Sequence, residues 1–173
     1  MDDKVPSPNI GVRAAQLNRL VAMLTLTWAD LFIEEPLLDV GRLLRLWPRT
    51  VGDVLRPIGM SAFGDIYFER PRGQVERLDV LEGGVHCVAW HREEFAILMN
   101  TKSWQEENLL SEGVYLLRER GLTRSPQQCF AFAPHPMFTG KLEWDRVVVM
   151  DAYPWHSICS QLFEGQVAVK DAT

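Results

Sequence analysis

Ala62-Phe63-Gly64-Asp65-Ile66-Tyr67-Phe68-Glu69 is a run of aromatic and β-branched residues, and Pro71-Arg72-Gly73 follows it with turn chemistry. Val75 to Glu82 then alternates around Leu78 and Val80, and Gly83-Gly84 gives a two-residue hairpin signal. Val85 to Trp90 returns with alternation at Val85, Cys87 and Ala89. Period-two alternation broken by glycine and proline turns predicts an antiparallel meander of three strands.

Upstream, Val12, Leu17, Leu20, Val21, Leu24 and Trp28 recur near helical spacing and predict an amphipathic helix to about residue 27. Pro36 interrupts the chain. Leu37 to Trp47 reads as a second short helix closed by Pro48, and residues 50–60 as an edge strand ending near Gly59. Downstream, His91 to Leu110 reads as a helix with a break near Asn100, and Glu112 to Arg120 as another with Gly121 at its C-terminal cap. Strands are expected over Gln128–Ala133 and Arg146–Asp151. Pro134-His135-Pro136 stands between them and forbids regular structure, and Pro154 starts a last helix, Trp155 to Phe163. The expectation is an α+β fold: a mainly antiparallel sheet with a β-meander, flanked by helices and preceded by an N-terminal helical segment. Residues 1–60 form that segment, either a companion unit or helices packed onto the same domain, and residues 61–173 form the α+β domain.

Composition bounds the function. The chain has 173 residues, 47% of them apolar, with 18 Lys+Arg against 23 Asp+Glu for a net charge of −5. That length suits one domain, and the mix excludes disorder and a disulfide scaffold. An acidic chain does not coat phosphate backbones, so no direct nucleic-acid binding is expected, and a basic partner is favoured. Cys87, Cys129 and Cys159 are odd in number and contain no CxxC pair, which reads as reduced thiols in a cytosol. The start, Met1-Asp2-Asp3-Lys4-Val5-Pro6, is not a basic leader, and Asn18, Arg19 and Asp30 interrupt the most apolar stretch. A cytoplasmic chain without a membrane segment is expected.

The search for chemistry yields little. His86, Cys87 and His91, with Cys129, His135, His156 and Cys159, offer metal-ligand atoms, but only His156-x-x-Cys159 has a tight gap and no second pair matches it. His86 and Cys87 are adjacent in a strand and point to opposite faces. Cys87 is expected to pack in the sheet. Cys129 in Cys129-Phe130-Ala131-Phe132 reads as a buried thiol rather than a nucleophile paired with His135. GxGxxG, GxxxxGK[ST] and GxSxG are all absent. No enzyme, no cofactor and no metal site is expected. One charge feature remains: Glu93, Glu94, Glu106, Glu107 and Glu112 face a single base, Lys102, with Trp104 among them. It reads either as the wet face of a helical pair or as an acidic surface that meets a basic partner, with Trp104 as an aromatic anchor.

Three stretches carry a resemblance: Ala62-Phe63-Gly64-Asp65-Ile66-Tyr67-Phe68, Gly121 through Phe132, and Gly140 through Asp151 with Ser157 and Gln161 after it. Together, over roughly residues 60–165, the chain resembles the C-terminal domain of type VI secretion immunity proteins that neutralise a DNase effector, a domain often found with a GAD-like domain. Thr139-Gly140 stands where that family tends to carry Gly-Gly. Trp155 replaces a histidine common after the last strand, and Ser160 replaces a glycine before Gln161. The resemblance implies a cytosolic immunity protein in bacterial competition, without cofactor or catalytic machinery. Such a protein binds a cognate toxin, here a basic DNase, and protects the producing cell, and Glu93, Glu94, Trp104, Glu106, Glu107 and Glu112 are its toxin-binding candidates. Two alternatives use the same residues differently. One is a small-molecule or regulatory binding module, favoured by a pocket lined with Trp90, Phe130 and Phe132. The other is a metal-dependent enzyme built on His86, His91 and the cysteines.

Overall fold

A computed structural model describes residues 26–52 and 56–170, with side chains to Glu164. The helix expected from Val12 lies outside these residues except for its last two positions. Thr27 caps a short helix, α1 (Trp28–Leu31): its backbone N–H and its hydroxyl both donate to the Asp30 carboxylate at 2.8 Å. The chain leaves α1 directly into β1 (Phe32–Glu34).

Five strands form one antiparallel sheet in sequence order: β1, β2 (Arg56–Ser61), β3 (Ile66–Glu69), β4 (Val75–Asp79) and β5 (Gly84–Ala89). The meander is therefore present and extends two strands further upstream than its three-strand reading. β2 is interior, hydrogen-bonded to both β1 and β3, rather than an edge. The sheet crosses the residue-60 boundary, so the described part of the first 60 residues contributes strands as well as helices. Three apolar residues, Leu31-Phe32-Ile33, hid β1 by continuing the preceding helical pattern.

Each face of the sheet contributes side chains to a core, while β5 at the edge keeps His86 and Cys87 exposed. Ile33, Met60, Ile66, Phe68 and Leu78 point into one core. It is closed by α2 (Val40–Leu44), α3 (Pro48–Val51) and the last helix, α8 (Ala152–Lys170). Pro48 thus opens a helical turn instead of only closing one; its missing N–H is harmless at a first helical position. Glu164 of α8 caps that turn, its carboxylate accepting from the Arg49 and Thr50 backbone N–H groups at 3.1 and 2.8 Å. Phe32, Tyr67, Val75 and Ala89 point into the opposite core. That core is covered by α4 (Arg92–Leu98), α5 (Lys102–Leu109) and α6 (Ser111–Glu119). α4 and α5 are separate helices, with Asn100 in the turn between them.

β6 (Gln128–Phe132) and β7 (Val147–Asp151) pair with each other as a separate two-stranded sheet, not as members of the main one. β6 alternates between the two cores: Cys129 and Ala131 enter the first, Phe130 and Phe132 the second. The Phe130 N–H donates to the Ala62 carbonyl at 2.8 Å and joins β6 to the end of β2, while the Ala62 N–H donates to the Leu31 carbonyl at 2.8 Å beside β1. Pro134 and His135 are irregular as expected, and a short helix, α7 (Pro136–Thr139), starts at the second proline, with the His135 ring capping it. Where the sequence suggested a two-residue hairpin, Val80 to Gly83 make the β4–β5 connection. Gly83 takes φ +70° and its N–H closes the loop onto the Asp79 carbonyl at 2.9 Å, while Gly84 already belongs to β5.

Candidate functional site: an acidic cleft

An open cleft of about 520 Å³ lies between the end of β4 with the turn after it, the turn before β3, the α5–α6 junction and the segment 136–142. Its floor is set by strand periodicity. Arg77 and Asp79 share a face of β4 with Val75, and Tyr67 lies opposite Arg77 in the β3–β4 register. The Tyr67 hydroxyl donates to the Asn108 carbonyl at 2.7 Å, and Arg77 reaches the Asn108 side chain at 3.4 Å and Asp79 at 3.3 Å. These contacts tie the end of α5 to the sheet and place Glu107 on the cleft wall.

Leu110, also on that wall, joins α5 to α6 with φ +50° and ψ +49°, the left-handed conformation that side chains rarely adopt. Glu106 holds the joint. Its carboxylate accepts from the Ser111 hydroxyl at 2.8 Å and from the Glu112 N–H at 2.7 Å, satisfying donors at the start of α6. Across the cleft, His135 anchors the 136–142 segment. Its Nδ1 accepts from the Met137 N–H, so the proton sits on Nε2, which donates to the Val80 carbonyl at 3.3 Å.

The electrostatics are dominated by acid. Asp65, Asp79, Glu82 and Glu107 line the cleft against Arg77 and Lys141. Burial, reinforced by the nearby Asp79 charge, raises Asp65 to about 7, although the Val80 N–H donates to it at 3.0 Å. Burial works against the Arg77 guanidinium, but Asp65, Tyr67 and Asp79 hold its proton more firmly than usual. Burial, followed by the Asp65 charge, puts the Tyr67 phenol well above its ordinary range. Met137 and Leu142 line the cleft and are each 36% exposed; Phe138 beside them is 68% exposed. A patch of exposed apolar surface next to convergent charge is the usual composition of a docking face.

Of the six toxin-binding candidates, Glu107 reaches this cleft. Glu93 is exposed at the start of α4, away from it. Glu94 accepts from the Trp90 N–H at 2.7 Å while the His91 ring accepts from the Glu94 N–H, a reciprocal cap of α4. Glu106 is the α6 cap just described, and Glu112 is half-buried in the first turn of that helix. Trp104 cannot serve as an anchor: it is 7% exposed, packed against Phe95 and Tyr67 with ring centroids 5.5 and 6.0 Å away. Its apolar area is needed to cover the second core. Phe130 and Phe132 are likewise buried, and Trp90 stands in solvent, so these three line no common pocket.

The metal and nucleophile candidates are dispersed. Cys87 is exposed on β5 rather than packed in the sheet. Cys129 and Cys159 are buried, and burial pushes both thiols up, Cys129 to about 12, which leaves no thiolate at neutral pH. His156 lies in the first core, held neutral by burial that lowers it to about 3. Asp65, Arg77, Asp79 and Glu82 escaped the sequence reading because they appear singly in a strand pattern. The signal available was Asp79 and Glu82 flanking the turn that Gly83 marks.

No family model matches the chain, and no curated protein matches it. Among solved structures it is similar to Atu4351 from Agrobacterium tumefaciens, at 14% identity, with 92% of this chain and 83% of that one covered and a TM-score of 0.51. At that identity the likeness concerns the fold. Among the described residues no helix is long and apolar enough to cross a membrane.

Proposed function

We propose that this chain is an immunity-type binding protein that neutralises a secreted toxin, with a basic nuclease as its partner and the acidic cleft as its docking face. The observation that carries the reading is the convergence of Asp79, Glu82 and Glu107 in one open cleft beside exposed Met137, Phe138 and Leu142. A nuclease must present positive potential to DNA, so a carboxylate-rich, apolar-rimmed surface complements it, steering encounter and then burying a hydrophobic contact. Neutralisation then needs binding alone. The resemblance over residues 60–165 supports the same reading, and a cytoplasmic site of action accords with it.

The test is a pull-down with the product of the adjacent gene, followed by a DNA-cleavage assay with and without this protein. A stoichiometric complex that abolishes cleavage is the expected result. A stable complex that leaves cleavage unaffected, or no complex, overturns it. A second reading, a small-molecule binding module, draws on the cleft's volume, which lies in the range of ligand sites. A ligand retained in native mass spectrometry of the purified chain is the observation that favours it.

A further inference from the structure

We propose that Asp79, Glu82 and His86, at the β4–β5 turn on the edge of the acidic cleft, form a binding site for one zinc ion. One ligand atom from each lies within 4.8 Å of the others. The site shares Asp79 and Glu82 with the proposed docking face, but the inference rests on how the turn arranges these three side chains and needs no toxin partner.

Asp79 ends β4 and its Oδ1 accepts from the Leu81 and Glu82 backbone N–H groups, both at 2.9 Å, which fixes the carboxylate over the turn. Asp79 pairs with Gly84 in the β4–β5 register, so His86, two residues along β5, projects from the same face. Gly84 has no unusual φ to explain it. What it supplies is room: a Cβ there would stand 3.3 Å from the His86 Nε2, tighter than ordinary contact. A glycine thus lets the imidazole lie back toward the turn. His86 Nε2 and Glu82 Oε2 are 4.0 Å apart, beyond hydrogen-bond reach. Two ligand atoms on a tetrahedral zinc are about 3.4 Å apart for bonds of about 2.1 Å, so a small side-chain movement brings the pair onto one ion.

The donor set selects the metal. Two carboxylate oxygens and an imidazole nitrogen suit zinc, which takes mixed N/O ligands and fills a remaining position with water. Magnesium and calcium prefer oxygen donors throughout. Arg77, 3.3 Å from Asp79 Oδ2, offsets part of the negative charge. Glu82 and Glu107 on the cleft wall keep the locality anionic.

The experiment is calorimetric titration of the untagged full chain with zinc chloride, alongside NMR of the histidine ring resonances. The wild type is expected to bind one equivalent with the His86 ring signals shifting. His86→Ala and Glu82→Gln should each weaken that binding roughly tenfold or more. Their side chains are 48% and 74% exposed, so both variants keep the fold, which circular dichroism checks. His91→Ala removes the other exposed imidazole near a carboxylate, Glu93 at 3.4 Å, and should leave the binding unchanged. Absence of saturable one-equivalent binding overturns the proposal, as does binding that survives His86→Ala intact.

Discussion

The indole N–H of Trp47 donates to Nδ1 of His156 at 3.1 Å, linking two fully buried side chains 109 positions apart in the chain. The bond requires an unprotonated Nδ1, so the neutral ring carries its hydrogen on Nε2. Trp47→Phe keeps most of the ring volume but leaves a buried nitrogen without its donor. The expected cost is about 1–3 kcal/mol, read from urea melts. A variant as stable as the wild type would show the bond to be energetically idle.

Two buried groups oppose each other in their pH dependence. His156 is lowered by burial to about 3, so below its unfolded value of 6.5 the unfolded chain takes a proton that the folded one refuses, and stability falls as pH drops through that window. Asp65 is raised by burial from 3.8 to about 7, so the folded chain keeps a proton that the unfolded one loses, and stability falls as pH rises from about 4 to 7. Asp65→Asn removes the second effect alone. Relative to wild type, the variant should become progressively more stable as pH rises from about 4 to 7. Denaturation series at four pH values test this, and a difference independent of pH counts against it.

Glu106 and Glu107 are neighbours with separate roles. Glu106→Ala removes both bonds at the start of α6 and should cost about 1–2 kcal/mol of stability. Glu107 is exposed on the cleft wall, so Glu107→Lys should change stability by no more than about 0.5 kcal/mol. On the proposed docking face it should slow association with a basic partner at low salt. Reversing both charges together would mix a folding defect with a binding one, so the single variants are the informative pair.

Gly113 on α6 touches the Trp144 ring: a Cβ at that position would lie 2.2 Å from its edge. Trp144 in turn packs edge-on against Phe63 and Phe132 and cannot withdraw freely. Gly113→Ala, although it favours the helix, should destabilise by about 1–3 kcal/mol through overpacking. A melting temperature at or above the wild type's would contradict this.

The α+β class and the meander were legible because alternation, aromatic runs and glycine turns all act within a few residues of one another. β1 was not, since Phe32 and Ile33 are buried on opposite faces and leave no alternation to read. The break at Asn100 and the cap at Gly121 were legible for the same local reason. The cleft was largely illegible. Asp65, Asp79 and Glu107 meet through strand register and the left-handed joint at Leu110, neither of which is written in spacing along the chain. Trp104 shows the converse error: an aromatic in an acidic segment looks like a surface anchor until the fold turns it inward.

The sheet's strands follow one another in chain order, so each can pair with its predecessor soon after synthesis. The first core cannot close that early. Trp47 waits for His156, and the turn at Pro48 waits for Glu164, both on the last helix. On a ribosome, a nascent chain ending before residue 152 would carry a paired sheet with one apolar face covered only by α2 and α3. That species is the one expected to recruit chaperones or to aggregate, and release of α8 is the step that removes it.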